Sequence, residues 1–274
     1  MTTVLRPMST SELLDRTFFL YRKHFVLFVG IVAVPYLITL AFQLVTLSLH
    51  ARRSGAAGSL WTLIWICVYL TTLAAAQAGT VVAVSDVHLE RPVTIQSALA
   101  SIKGRLLKIT FIMLAVWVGV GVGLVLLIVP GIIFALMWSL AIPVAVLEGQ
   151  GLRGATSRIA ALTKGDRGRI FVISCLFVLL VYIVTAIVQT PIFMALGISR
   201  ISHAANPRMI PAWYGLLSAI GTFVSNSLVA PLFTIALALI YYDERVRKEG
   251  FDLEFMISSL ESPQPPRQGA DAHE

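Results

Sequence analysis

A chain of 274 residues with 57% hydrophobic and only 13% charged side chains lacks the polar surface of a soluble fold, in which about a quarter of residues are charged. Lipid has to cover its exterior, in keeping with a mean hydropathy of +0.85. The net charge of +7 comes from short basic clusters between long apolar runs, a placement that suits anionic lipid headgroups and argues against nucleic acid as a partner.

Taken in chain order, the first 24 residues carry seven charged or histidine side chains, so the start lacks the short apolar core of a cleavable signal peptide. The first long apolar run is therefore expected to stay as a signal anchor. Crossing the hydrocarbon takes roughly 20 apolar residues in helical form. Six runs are read as spans: Phe25 to Leu47, Leu60 to Val84, Ile109 to Val129, Gly131 to Leu147, Ile170 to Leu196, and Ala212 to Tyr242. Only Val129, Pro130 and Gly131 separate the third from the fourth. Proline removes a donor and glycine permits positive φ, so a tight turn is expected there rather than one helix far longer than the bilayer is thick.

Three short stretches of helical period precede spans and end in basic corners. They are Leu13, Leu14, Phe18 and Tyr21 before Arg22 and Lys23; Ile95, Ala98, Leu99 and Ile102 before Lys103, Arg105 and Lys108; and Leu152, Ala155, Ile159 and Leu162 before Lys164, Arg167 and Arg169. Each is expected to lie in the membrane plane. Two readings stay open: three repeated units of interfacial helix plus transmembrane hairpin, or the rhythm of any hairpin protein with positive cytoplasmic loops. Seventeen of the 21 Lys and Arg fall on the side that holds both termini, which is read as the cytoplasm. The expected fold is thus an all-α integral membrane bundle of six transmembrane helices over residues 1–255. A proline-rich, disordered cytoplasmic tail follows at 256–274.

Few polar groups lie inside the runs. Gln77, Gln189 and Asn226 are candidates for an intramembrane polar site, or simply bond neighbouring helices together. Pro35, Pro143, Pro191 and Pro231 punctuate four spans, either as tolerated bends or as parts of a broken-helix site. Gly119 and Gly123 have a spacing that admits a close helix, within the chain or in a homo-oligomer. Cys67 and Cys175 are read as small buried hydrophobes, with no metal site or disulfide framework.

No metalloprotease, serine-hydrolase or phosphate-loop motif occurs, so no catalytic residue, metal or cofactor is assigned and the chain is expected not to be an enzyme. Candidate interface residues are Glu148, Arg158, Lys164, Asp243, Arg245, Arg247 and Glu249. Asp243 with Arg247 and Arg245 with Glu249 stand four apart, the spacing of helical ion pairs, with Gly250 ending the helix and the tyrosines 241 and 242 suiting an aromatic belt. This block is read as a charged cap, a dock for a cytoplasmic partner, or a place where the short helices converge.

The block from Tyr241 to Glu254 resembles the closing signature of bacterial proteins with the membrane domain named after glycerophosphoryl diester phosphodiesterase. The resemblance continues in Leu5-Arg6-Pro7, in Glu12 to Arg16 through Tyr21-Arg22, and in Pro130-Gly131. It also takes in Pro143 with Leu147-Glu148-Gly149, and Arg158 with Leu162 to Gly165. It implies a multi-helix module of the bacterial inner membrane. The catalytic barrel sometimes fused to that domain needs roughly 250 residues, whereas 32 follow Tyr242, so hydrolase activity is not carried over. The expected role is to bind membrane lipid, or a membrane or cytoplasmic partner, through a basic cytoplasmic face. A small permease or lipid translocator is the alternative, and a membrane-bound phosphodiesterase is less favoured.

Overall fold

The structure, a computed structural model, describes residues 8–49, 56–126, 131, 135, 140–149, 152–163, 167–202 and 211–249. Every element among them is helical. They are α1 (Thr10–Lys23), α2 (Phe25–Leu49), α3 (Ala56–His88), α4 (Ile95–Ile102), α5 (Leu106–Leu126), α6 (Ala141–Leu147), α7 (Leu152–Thr163), α8 (Arg167–Ser202) and α9 (Ala212–Glu249), with a single 3-10 turn (Lys103–Arg105) between α4 and α5. Long uncharged runs have no other way to satisfy their backbone in lipid. The short helices need caps, and two have them. Ser9 Oγ accepts from the Glu12 N–H at 3.2 Å while Glu12 answers the Ser9 N–H at 3.4 Å. Thr94 and Ser97 reciprocate in the same way at the start of α4.

Five helical stretches are long and apolar enough to cross a membrane: Phe25–Ser48, Gly58–His88, Ile95–Leu126, Gly168–Ile198 and Ala212–Lys248. Several overrun the expected bounds, since helices continue past the hydrocarbon into the headgroups. The expected fourth span, 131–147, is described only at Gly131, at Ala135 and over α6, and α6 alone is too short to cross. Gly131 nevertheless lies against the end of α5. A Cβ on Gly131 would stand 2.5 Å from the backbone nitrogen of Leu124. Seven residues of continuous helix climb about 10 Å, so no single helix runs through both positions. At the other end, the Lys108 ammonium donates to the Gly149 carbonyl at 2.7 Å. Gly149 sits just past α6 at φ +66, a left-handed position that glycine adopts without a side-chain penalty.

The last helix is the centre of the bundle. In its most apolar stretch 67% of α9 is buried, against 17% for α8. α9 packs on α8, α2, α1 and α3, while α5 packs chiefly on α3 and α6. The three short amphipathic helices are present, each followed by a long one, but their apolar faces meet protein. Leu13, Leu20, Ala98, Ile102, Ala155, Ile159 and Leu162 are all buried. For α1 the expectation of an in-plane helix is corrected outright. Its two ends are fastened to α9, through the Met8 N–H on Asp243 (2.6 Å) and the Tyr21 hydroxyl on the Leu228 carbonyl (2.7 Å). Those anchors lie roughly 20 Å apart along α9, close to the length of α1, so α1 lies along its neighbour. Cys67 and Cys175 are another correction, because both are exposed rather than buried.

Candidate functional site

Two features gather polar groups, one at an end of the bundle and one inside it. The first is built around Asp243, only 2% exposed. Its Oδ1 accepts the Met8 N–H, and its Oδ2 accepts from Arg247 Nε at 2.9 Å and from an Arg169 guanidinium nitrogen. Both arginines also donate to the Met8 carbonyl, at 2.7 Å from Arg247 and 2.8 Å from Arg169. The start of α8, the end of α9 and Met8, two positions before α1, are thereby tied in one knot. Fully buried Glu244 lies 3.6 Å from the Lys248 ammonium and 3.9 Å from Arg169. Lys248 in turn donates to the carbonyls of Leu162 and, at 3.2 Å, Ala161 at the end of α7.

A second link stands alongside. Both Glu148 oxygens accept from Arg158 Nε, at 3.0 and 3.1 Å, and Oε1 also accepts the Tyr241 hydroxyl at 2.9 Å. Tyr241 was expected in an interfacial belt; it is fully buried, held under α6 and α7 by this bond. Tyr242 stacks on His88 of α3 at 5.5 Å.

Of the seven interface candidates, the structure brings Glu148 together with Arg158 and Asp243 together with Arg247. Arg245 is half-buried, close enough to Tyr241 and Tyr242 to interact electrostatically with both. Lys164 and Gly250 lie outside the described residues, as does the side chain of Glu249. Convergence of the short helices holds for α1 and α7, whereas α4 packs on α2 and α3. Arg169 and the backbone of Met8 were not among the candidates, since nothing local in the sequence pairs residues so far apart; Glu244 was missed although Lys248 stands four residues after it, a spacing that could have found it.

The second feature is a cavity of about 190 Å³ between α2, α3, α5, α8 and α9. Gln77 and Asn226 share it, with Tyr36, Tyr69, Trp117 and Thr234 among the other lining residues. Gln189 is elsewhere. Its amide donates to Thr222 Oγ1 at 2.8 Å and to the Ser218 carbonyl at 3.2 Å, bonding α8 to α9. The three intramembrane candidates thus divide into a pair facing a cavity and one helix-to-helix link. Among the described residues, His, Cys, Asp and Glu nowhere gather in threes.

Comparison with known proteins returns no match, whether to a family model, a curated protein or a solved structure.

Proposed function

We propose that this protein is a non-enzymatic module of the bacterial inner membrane, with six crossings and both termini in the cytoplasm, that binds anionic lipid through a basic cytoplasmic face. Parity supports the sixth crossing. Met8 and Asp243 touch, so the chain between them crosses an even number of times, and α2, α3, α5, α8 and α9 supply five. The segment from the reversal at Leu124 and Gly131 back to Gly149, level with Lys108, is the remaining passage. The quoted motifs support placing the chain with the glycerophosphoryl diester phosphodiesterase membrane domains, without their hydrolase.

The observation that carries the binding reading is how the charges are partitioned. Asp243, Glu244 and Glu148 are turned inward against Arg169, Arg247, Lys248 and Arg158. Arg22, Arg91, Lys103 and Arg105 are exposed, with no ion pair among the described residues. Asp15 and Glu90 are exposed as well, but Lys23 and Lys108 join these four, so the outward face keeps a net positive charge. Each basic group near an anionic surface contributes about 1 kcal/mol. Replacing these four by glutamine is expected to lower retention of phosphatidylglycerol over phosphatidylcholine by roughly three orders of magnitude in native mass spectrometry. Unchanged retention would sink the proposal, and hydrolysis of a glycerophosphodiester by purified protein with divalent metal would overturn its non-enzymatic part.

The central cavity favours a second reading, a small permease or lipid translocator. Gln77→Cys and Asn226→Cys, placed in a background lacking Cys67 and Cys175, are then expected to react with a membrane-impermeant thiol reagent. Inert cysteines at both positions would argue that reading down.

A further inference from the structure

Next to the 190 Å³ cavity lies a second of about 240 Å³, lined by Met113, Val116, Val120 and Ile142 among others. The two share Gln77, Trp117 and Phe233 as a common wall. Together they reach the scale of small-molecule sites, roughly 300–1,000 Å³, which are mostly apolar with a few placed polar groups.

The polar groups here are unusual for the middle of a membrane. Thr234 satisfies itself on the Ala230 carbonyl at 3.1 Å. Gln77, Asn226, Tyr36 and Tyr69 make no hydrogen bond among the described residues. Beside Asn226, the hydroxyls of Ser225 and Ser227 are buried without a partner as well. In hydrocarbon each such group costs energy until something answers it. Two amides and two phenols aimed into one space leave donors for an acceptor that the chain does not supply.

We infer that the paired cavity binds an uncharged, lipid-soluble molecule whose carbonyl or hydroxyl oxygen is held by Gln77 and Asn226 and whose apolar part fills the compartment along α5. Neutrality follows from the wall. No charged residue lines either cavity among the described residues, and none occurs in the sequence from Ile109 to Leu147 or from Ala56 to Ser85. A phosphate or ammonium would lose its hydration there with no opposite charge to replace it. Access is sideways from the bilayer: Trp117, 54% exposed, stands at the wall common to both compartments, on the helix that packs chiefly against α3 and α6. This inference is independent of the basic face, which selects charged headgroups at the surface.

Trp117 makes the site measurable. The full chain in phosphatidylcholine vesicles is titrated with diacylglycerol carrying brominated chains and, separately, with a long-chain isoprenoid quinone, both of which quench tryptophan on contact. Saturable quenching by either one, absent in Trp117→Phe, is expected, and the compound that saturates identifies the source. Gln77→Met with Asn226→Leu, apolar replacements of similar shape, is expected to shift the midpoint at least tenfold; each single variant serves if the double one does not fold. Three results would overturn the inference. They are quenching that only rises in proportion to lipid content, equal quenching by brominated phosphatidylcholine, or a midpoint indifferent to the amides.

Discussion

Asp243→Ala is expected to lower stability by about 3–5 kcal/mol, the range for removing one partner of a buried ion pair. The carboxylate is the acceptor shared by the Met8 N–H, Arg169 and Arg247. Without it, two guanidiniums face each other beside Glu244, and the Met8 N–H loses its acceptor, which leaves Met8 tied to α9 only by its carbonyl on Arg247. Asp243→Asn separates the two effects, because it keeps an oxygen for Met8 but removes the charge. It is expected to fall between wild type and alanine in thermal unfolding of the detergent-extracted protein. Arg247→Ala should cost less than Asp243→Ala, since Arg169 still answers both the carboxylate and the Met8 carbonyl. If Asp243→Ala melts with wild type, the knot is decoration and the convergence of helix ends has some other cause.

That knot also marks where the sequence stops being legible. Asp243 and Arg247 are four apart on one helix, so their pair is written locally, and it forms at 2.9 Å. Met8 lies 235 positions from Asp243, and no periodicity joins them. The long spans were readable because lipid leaves an uncharged run one outcome. The cap at Ser9 and Glu12 is written locally too, as a serine followed three residues later by a glutamate. The posture of α1 is not. A helix with one apolar face fits a membrane surface and a protein groove equally well, and only the anchor of Tyr21 on Leu228 distinguishes them. The pairing of Gln77 with Asn226 is of the same kind: both stand out as polar residues in apolar runs, but their common cavity depends on how α3 and α9 cross.

Gly131→Ala is expected to be the most damaging methyl group that can be added to the chain among the glycines described here. The new Cβ would lie 2.5 Å from the nitrogen and 2.7 Å from the Cα of Leu124, backbone atoms that cannot rotate away. Overpacking of this kind costs about 1–3 kcal/mol, and more where main chain has to move. Gly121, on the same α5 helix, has nothing within 4 Å of the equivalent position. Gly121→Ala should therefore be neutral or stabilise by up to about 1 kcal/mol through helix propensity. The pair is a matched test, with the same substitution of opposite expected sign. It also bears on the proposed topology, because the sixth crossing rests on the close approach of Gly131 to Leu124. A reporter fused after Glu249 should keep its wild-type side of the membrane in Gly121→Ala, while in Gly131→Ala part of the population should lose that placement or be degraded. Equal stability and equal reporter signal in the two variants would mean that the reversal is not packed against Leu124, and the parity argument would lose its physical basis.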